Sequence, residues 1–222
     1  MISREKQFIF VHNYKTGGTS IEKKLGHFEV LERDIQDHRT IAEIELLTKR
    51  GKHLRTALYA MKKGKASAYY FLKKAINPEL TKREFNTFYK FSFVRNSWAR
   101  IYSWYVNVMK DELLRKSYGI DSTELSFEDF LRNYMDHDTF GQLYFLTGLD
   151  GSVPMDFIGR FENLQQDFNI VCERLQIEDP ILPRMLVRKY GHYTENYSSK
   201  TKALVYELYK EEIRYFKFEF GE

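Results

Sequence analysis

The chain has 222 residues, of which 43% are hydrophobic, 16% aromatic and 30% charged, with a net charge of +4. That length suits one domain, the aromatic content excludes an intrinsically disordered chain, and the single cysteine, Cys172, excludes an intrachain disulfide framework. No apolar run approaches the roughly 20 residues of a membrane helix, and the apolar part of MISREKQFIFVH is too short for a signal peptide, so the cytoplasm is the expected compartment.

In chain order, Phe8-Ile9-Phe10-Val11 is apolar on both alternating faces and is expected as a buried strand. Asn13 to Gly18 follows as a loop, and Thr19-Ser20 open a helix with Ile21 and Leu25 at helical spacing. A second strand is expected at Phe28 to Leu31. Thr40 and Glu43, just before Ile44 and Leu47, have the pattern of a capping box, which puts His38 in a strand-to-helix turn. The stretch from Lys49 to Arg83 is strongly basic, with Glu79 its sole carboxylate, and reads as broken helices interrupted at Gly51 and Gly64. Such asymmetry points to an anionic ligand or polymer, or to a solvated helical face.

Phe91-Ser92-Phe93-Val94 is the next expected strand, followed by a helix from Trp98 to Leu114. Helices are expected at Phe127 to Tyr134 and Thr139 to Leu146, then a turn at Gly148 to Gly151 and a strand at Phe157-Ile158. Leu164 to Leu175 and Lys200 to Phe216 complete the helices, with Pro180 and Pro183 marking the connection between them.

Two segments carry chemistry. FIFVHNYKTGGTS places Lys15, Gly17, Gly18, Thr19 and Ser20 between a strand and a helix, where backbone N–H groups and the helix dipole favour an anion and glycines admit close approach. The lysine precedes the glycines, so this is not a Walker A loop. FSFVRNSWARIYSWY puts Arg95 at a strand end and Ser103 two turns into the following helix, a forked cation and a hydroxyl suited to a phosphate. Taken singly, the first segment is also compatible with a plain tight turn, and Arg95 with a surface ion pair. No His, Cys and Asp cluster suggests a metal.

Together the two segments resemble the sulfotransferases that use 3′-phosphoadenosine 5′-phosphosulfate (PAPS), in particular the carbohydrate-type branch related to heparan and chondroitin sulfotransferases. HNYKTGGTS is similar to the family's 5′-phosphosulfate loop and FVRNSWARIYSWY to its 3′-phosphate segment. DFIGRFENLQQDF and the closing HYTENYSSKTKALVYELYKEEIRYFKFEF are similar to short bacterial members. The resemblance implies an α/β fold: a three-layer α/β/α sandwich with a mainly parallel sheet, P-loop-like nucleotide-binding topology, and a single sulfotransferase domain over residues 1–222. It implies cofactor contacts from Lys15, Thr16, Gly17, Gly18, Thr19 and Ser20 on the phosphosulfate and from Arg95 and Ser103 on the 3′-phosphate. Lys15 would also stabilise charge as the bond to sulfur breaks, with adenosine 3′,5′-bisphosphate as product and no metal.

His38-Arg39-Thr40 fits an H-x-T pattern of short members and makes His38 the expected general base. The expected partner is a hydroxyl-bearing acceptor, a carbohydrate with anionic glycans among the candidates, and neither nucleic acid nor a transmembrane segment. Where the family has proline before the loop lysine and after the Arg-Asn pair, this chain has Tyr14 and Ser97, changes expected to alter loop stiffness alone. His12, Arg160 and Glu162 are expected to be structural, the last two as a local pair. Two alternatives stand beside this reading. A P-loop-type nucleotide-dependent kinase would need a Walker-type loop and a Mg²⁺-binding carboxylate, neither evident. A non-catalytic module could bind anionic polymer through the basic segment.

Overall fold

Three apolar runs pair at the centre of the molecule. In the computed structural model, which describes residues 1–30, 36–63, 65, 67–135, 140–185 and 191–222 apart from the side chains of residues 50, 52, 53 and 74, they are β2 (Phe8–Val11), β3 (Tyr89–Val94) and β4 (Phe157–Arg160). β2 lies parallel to β3 with Phe10 opposite Phe91, and β3 lies parallel to β4 with Phe93 opposite Gly159. A short β1 (Ile2–Ser3) adds antiparallel to the free edge of β2, giving the order β1-β2-β3-β4. Parallel strands buried on both faces read as continuous apolar runs, which is why β2 and β3 are legible in the sequence.

Successive side chains along a strand point to opposite faces, and here they feed two cores. Ile9, Val11 and Val94 face a cluster built from α2 (Ile41–Leu46), α6 (Ser97–Lys110), α9 (Gln142–Leu146) and α11 (Ser199–Phe216). Phe8, Phe10, Phe91 and Phe93 face Ile21 of α1 (Gly18–Lys24) and Phe168, Val171 and Cys172 of α10 (Leu164–Leu175). Helices therefore cover both faces of the mainly parallel sheet, the three layers expected. The remaining helices are α3 (Arg50–Lys62), α4 (Ser67–Ile76), α5 (Lys82–Thr87), α7 (Glu112–Ser117) and α8 (Phe127–Tyr134).

Several expected elements differ. No strand forms over Phe28 to Val30, and Leu31 lies outside the described residues. Phe28 is buried but Glu29 and Val30 are exposed, so there is one anchor rather than a strand face, and both edges of β2 are already paired by β1 and β3. The helix expected from Trp98 to Leu114 divides at Asp111, whose carboxylate accepts from the Leu114 amide at 2.9 Å and caps α7. Gly51 lies inside α3, whereas Gly64 and Thr139 fall outside the described residues. The capping box forms as read: the Thr40 hydroxyl accepts from the Glu43 amide at 3.1 Å, and the Glu43 carboxylate accepts from the Thr40 amide at 2.8 Å.

Candidate active site

The loop leaving β2 is fixed from below. Asn13 donates from Nδ2 to the Phe93 carbonyl at 3.0 Å and to Ser92 Oγ at 3.2 Å, tying the loop to the end of β3. The buried Thr16 hydroxyl donates to the Asn13 carbonyl at 2.9 Å, so this side chain braces the loop from inside. Lys15 and Gly17 adopt φ of 66° and 81°, a left-handed turn that brings the chain into the first turn of α1. A Cβ at Gly17 would lie 2.7 Å from Leu164 Cδ2, and one at Gly18 would run into the His12 ring. Gly18 is thus required by packing against His12, and Gly17 by its left-handed backbone. Beyond them, Thr19 Oγ1 is 2.8 Å from Gln36 Nε2, and Ser20 Oγ accepts from the Met185 amide at 3.4 Å.

Arg95 enters from the end of β3. Its Nη1 donates to the Lys15 carbonyl at 3.4 Å, and its guanidinium lies 4.2 Å from the centre of the Phe161 ring, a cation–π contact. The backbone of Arg95 is clamped by one side chain. Gln142 Oε1 accepts from the Arg95 amide at 2.7 Å while Gln142 Nε2 donates to the Arg95 carbonyl at 2.9 Å. Gln142 is itself held by Glu212, which accepts from its amide and its Nε2 and also from Ser97 Oγ at 2.6 Å and Arg100 Nη2 at 3.2 Å. Ser97, Arg100, Gln142 and Glu212 are all buried. Ser97, read from sequence as a change in stiffness, is a hydrogen-bond donor that a proline could not replace. Next to it, Asn96 caps α6 through Oδ1 and takes its own amide contact from Glu162 Oε1 at 2.8 Å.

His38 lies on an irregular segment, residues 36–40, that leads into α2, and the strand expected before it does not form over Phe28 to Val30. Its ring stacks on Tyr14 at 4.0 Å between centroids and lies 4.2 Å from His12. Tyr14 in turn stacks on Phe140 at 5.7 Å and meets Phe145 edge-on at 5.5 Å and Trp104 at 5.6 Å. Tyr14 therefore replaces the stiffness of a proline with an aromatic hub that joins the loop to α6 and α9. Burial pushes the His38 imidazole down to about 4, with the His12 charge acting in the same direction. The ring is neutral near pH 7 and has one N–H and one lone pair. His38 Nδ1 is 3.0 Å from the His12 carbonyl, which can accept only, so Nδ1 carries the proton and Nε2 the lone pair. Nε2 is 3.0 Å from Gln36 Oε1, one of two ends of an amide that can be exchanged by a half-turn. That contact is satisfied when Gln36 turns its NH₂ to His38 and accepts from the Thr19 hydroxyl, an orientation assigned from the network.

The neighbouring carboxylates have other work. Asp37 pairs with the Met1 ammonium at 2.8 Å and with Arg39 at 2.7 Å. Burial would raise its carboxyl, but the Arg39 hydrogen bonds and the ammonium charge outweigh that and hold it well below the ordinary range. Glu43 closes the capping box. Glu22, also lowered, is opposed by burial but favoured by His12 and His27, and its Oε1 lies 3.2 Å from His12 Nδ1. Asp37 and Glu43 are thus both engaged in pairing within the protein.

The structure thus brings Lys15 to Arg95, and Thr19 to His38 through Gln36. Ser103 is buried on α6, and Arg95 touches Lys15, Gln142 and Phe161. Arg160 and Glu162 do not pair with each other: Arg160 donates to Glu222 at 2.7 Å, while Glu162 supports Asn96. Gln36, Gln142, Arg100 and Glu212 were not read from the sequence. One signal existed, because Arg100 sits within the apolar run Trp98-Ala99-Arg100-Ile101-Tyr102, where a cation is either wet or buried and paired.

Among the described residues no three His, Cys, Asp or Glu side chains gather closely enough to hold a metal ion, and no helix is long and apolar enough to cross a membrane. No curated protein and no solved structure matches the chain. Its sequence does match the model of the sulfotransferase family over residues 1–219, nearly its whole length. A mainly parallel sheet covered on both faces, with a glycine-bearing loop between its first parallel strand and the next helix, agrees with that match. The chain therefore belongs to the sulfotransferase family, whose chemistry is sulfuryl transfer.

Proposed function

We propose that the chain acts as one domain that transfers a sulfuryl group from PAPS to a carbohydrate hydroxyl, in the carbohydrate-type branch of the family. The observation that carries this reading is the contact of the Arg95 guanidinium with the Lys15 carbonyl, which brings that cation from the end of β3 to the glycine loop after β2. Such a donor set suits a ligand with anionic groups at both ends. Lys15 and the amides of Gly17, Gly18 and Thr19 hold the phosphosulfate, with Thr16 bracing the loop and Ser20 closing its far edge. Arg95 and Ser103 hold the 3′-phosphate.

PAPS supplies an activated sulfur: the acceptor oxygen bonds to it as the bond to the phosphate oxygen breaks, and that oxygen keeps the electron pair. His38 Nε2 takes the hydroxyl proton, with Nδ1 anchored on the His12 carbonyl and the acceptor hydroxyl in the place of the Gln36 amide. Lys15 stabilises the charge left on the phosphate oxygen. Calorimetry provides the test. Adenosine 3′,5′-bisphosphate should bind at least about ten-fold more tightly than AMP or ATP with Mg²⁺, because the 3′-phosphate gains charge-assisted hydrogen bonds of about 1.5 to 3 kcal/mol each. Equal affinities would overturn the assignment. A panel of carbohydrate acceptors with sulfur-labelled PAPS tests the second substrate.

A further inference from the structure

The basic stretch folds as a hairpin in which α3 and α4 pack mainly on each other. Ala57 and Ala60 of α3 are buried, small residues that allow close approach of a partner helix. The sequence carries no carboxylate between Leu46 and Pro78, while lysine and arginine recur from Lys49 to Lys74.

The outer faces of these helices are apolar as well as cationic. On α3, Leu54, Leu58 and Met61 are spaced i, i+4 and i+7, so they share one stripe, and they are 45%, 51% and 57% exposed. Arg55 and Lys62, each one position on from Leu54 and Met61, border that stripe and are also exposed. On α4, Tyr69 and Ile76 lie seven apart on one side, 76% and 72% exposed, with the exposed Lys73 beside them.

A solvated helical face would account for the lysines but not for stripes of Leu, Met, Tyr and Ile turned to water. An anionic glycan or other polyanion would pair with the cations and leave those same side chains wet. A second copy of the chain would bring like charges together with no carboxylate on the hairpin to offset them. An anionic bilayer surface satisfies both components, because apolar side chains enter the headgroup and acyl boundary while lysine and arginine stems extend their charges to lipid headgroups.

We propose that the α3–α4 hairpin docks the protein on membranes containing anionic lipid. The proposal is independent of the sulfuryl-transfer reading, since its test needs neither donor nor acceptor. The full chain is sedimented with vesicles of phosphatidylcholine alone or mixed with phosphatidylserine. It should pellet with the mixed vesicles, weakly with phosphatidylcholine, and less as salt is raised.

Two variants at exposed positions separate the components, with helicity checked by circular dichroism. Lys62→Gln with Lys63→Gln should weaken partitioning about five-fold for each charge removed. Leu58→Ser with Met61→Ser keeps the charge and should weaken it about ten-fold. A chain that stays in the supernatant at low salt would overturn the proposal. So would a Leu58→Ser and Met61→Ser variant that pellets like the wild type, which would assign the hairpin to an anionic polymer. Light scattering that shows a dimer abolished by that same variant, with no vesicle binding, would assign the stripe to a second copy.

Discussion

The two walls of the site are built from different materials. Behind Arg95 stands a buried hydrogen-bonded lattice in which Gln142 grips the backbone on both sides and Glu212 collects Ser97, Arg100 and Gln142. Behind His38 stand rings: Tyr14 against the imidazole, then Phe140, Phe145 and Trp104. The walls meet at Phe140, which stacks on Tyr14 and also carries the Arg100 guanidinium 4.5 Å from its centre. A lattice of directional bonds fixes where a cation sits, as recognition of a phosphate requires. A stack of rings excludes water, which sets the charge state of an imidazole.

The largest expected effect lies on the aromatic wall. His38→Ala should lower kcat by about 10² to 10⁴ while adenosine 3′,5′-bisphosphate binds as before. In the wild type, kcat/KM should fall on the acid side with a midpoint near 4 rather than at the ordinary histidine value, because the buried ring protonates late. The variant should lack that limb, and retention of wild-type turnover would assign the base elsewhere. Stability carries the same sign. A histidine whose folded value is depressed to about 4 favours the folded state fully above about 6.5, and that contribution is lost as pH falls through 4. Urea midpoints should therefore drop across that window, and less so in His38→Ala.

On the polar wall, Glu212→Ala leaves Arg100 buried without its carboxylate and should destabilise by about 3 to 5 kcal/mol in urea unfolding. Glu212→Gln, which keeps an acceptor, should be milder. If the alanine variant unfolded like the wild type, the lattice would not be the support described.

Next in size is Arg95→Ala, which should erase the preference for adenosine 3′,5′-bisphosphate over AMP, a loss of about 1.5 to 3 kcal/mol by calorimetry. The last effect returns to the rings. Tyr14→Ala should destabilise by about 0.5 to 1.5 kcal/mol for each aromatic pair lost beyond the buried area, and water admitted to His38 should raise its titration from about 4 toward the ordinary value. Imidazole proton shifts followed by NMR would read this directly, and an unchanged midpoint would show that other groups dominate the burial.

Local signals made most of the frame legible. The apolar runs of β2 and β3, the capping box at Thr40 and Glu43, and the spans of α8 and α10 all follow from patterns within a few residues. Phe28 misled because a lone buried aromatic resembles the start of a strand when Val30 and Leu31 follow it closely. In the site, Lys15, Gly17, Gly18 and Arg95 stand out because chemistry and spacing coincide. Of the lattice behind Arg95 only Arg100 left a signal, its apolar neighbours, because Gln142 and Glu212 come from separate helical regions and each alone resembles a surface residue. Likewise, Tyr14 shows only as a missing proline until the fold brings four rings around it.

One glycine links the loop after β2 mechanically to the aromatic wall. The His12 ring lies where a side chain at position 18 would stand, and the carbonyl of that same His12 holds His38 Nδ1. A single methyl at position 18 would therefore act as a wedge: it would displace His12, and His12 would carry His38 with it. Gly18→Ala changes no charge and removes no hydrogen bond, yet its strain would be transmitted from the glycine loop to the His38 ring. The missing side chain at Gly18 thus leaves a clearance, filled by the His12 ring, that sets the distance between the loop and His38.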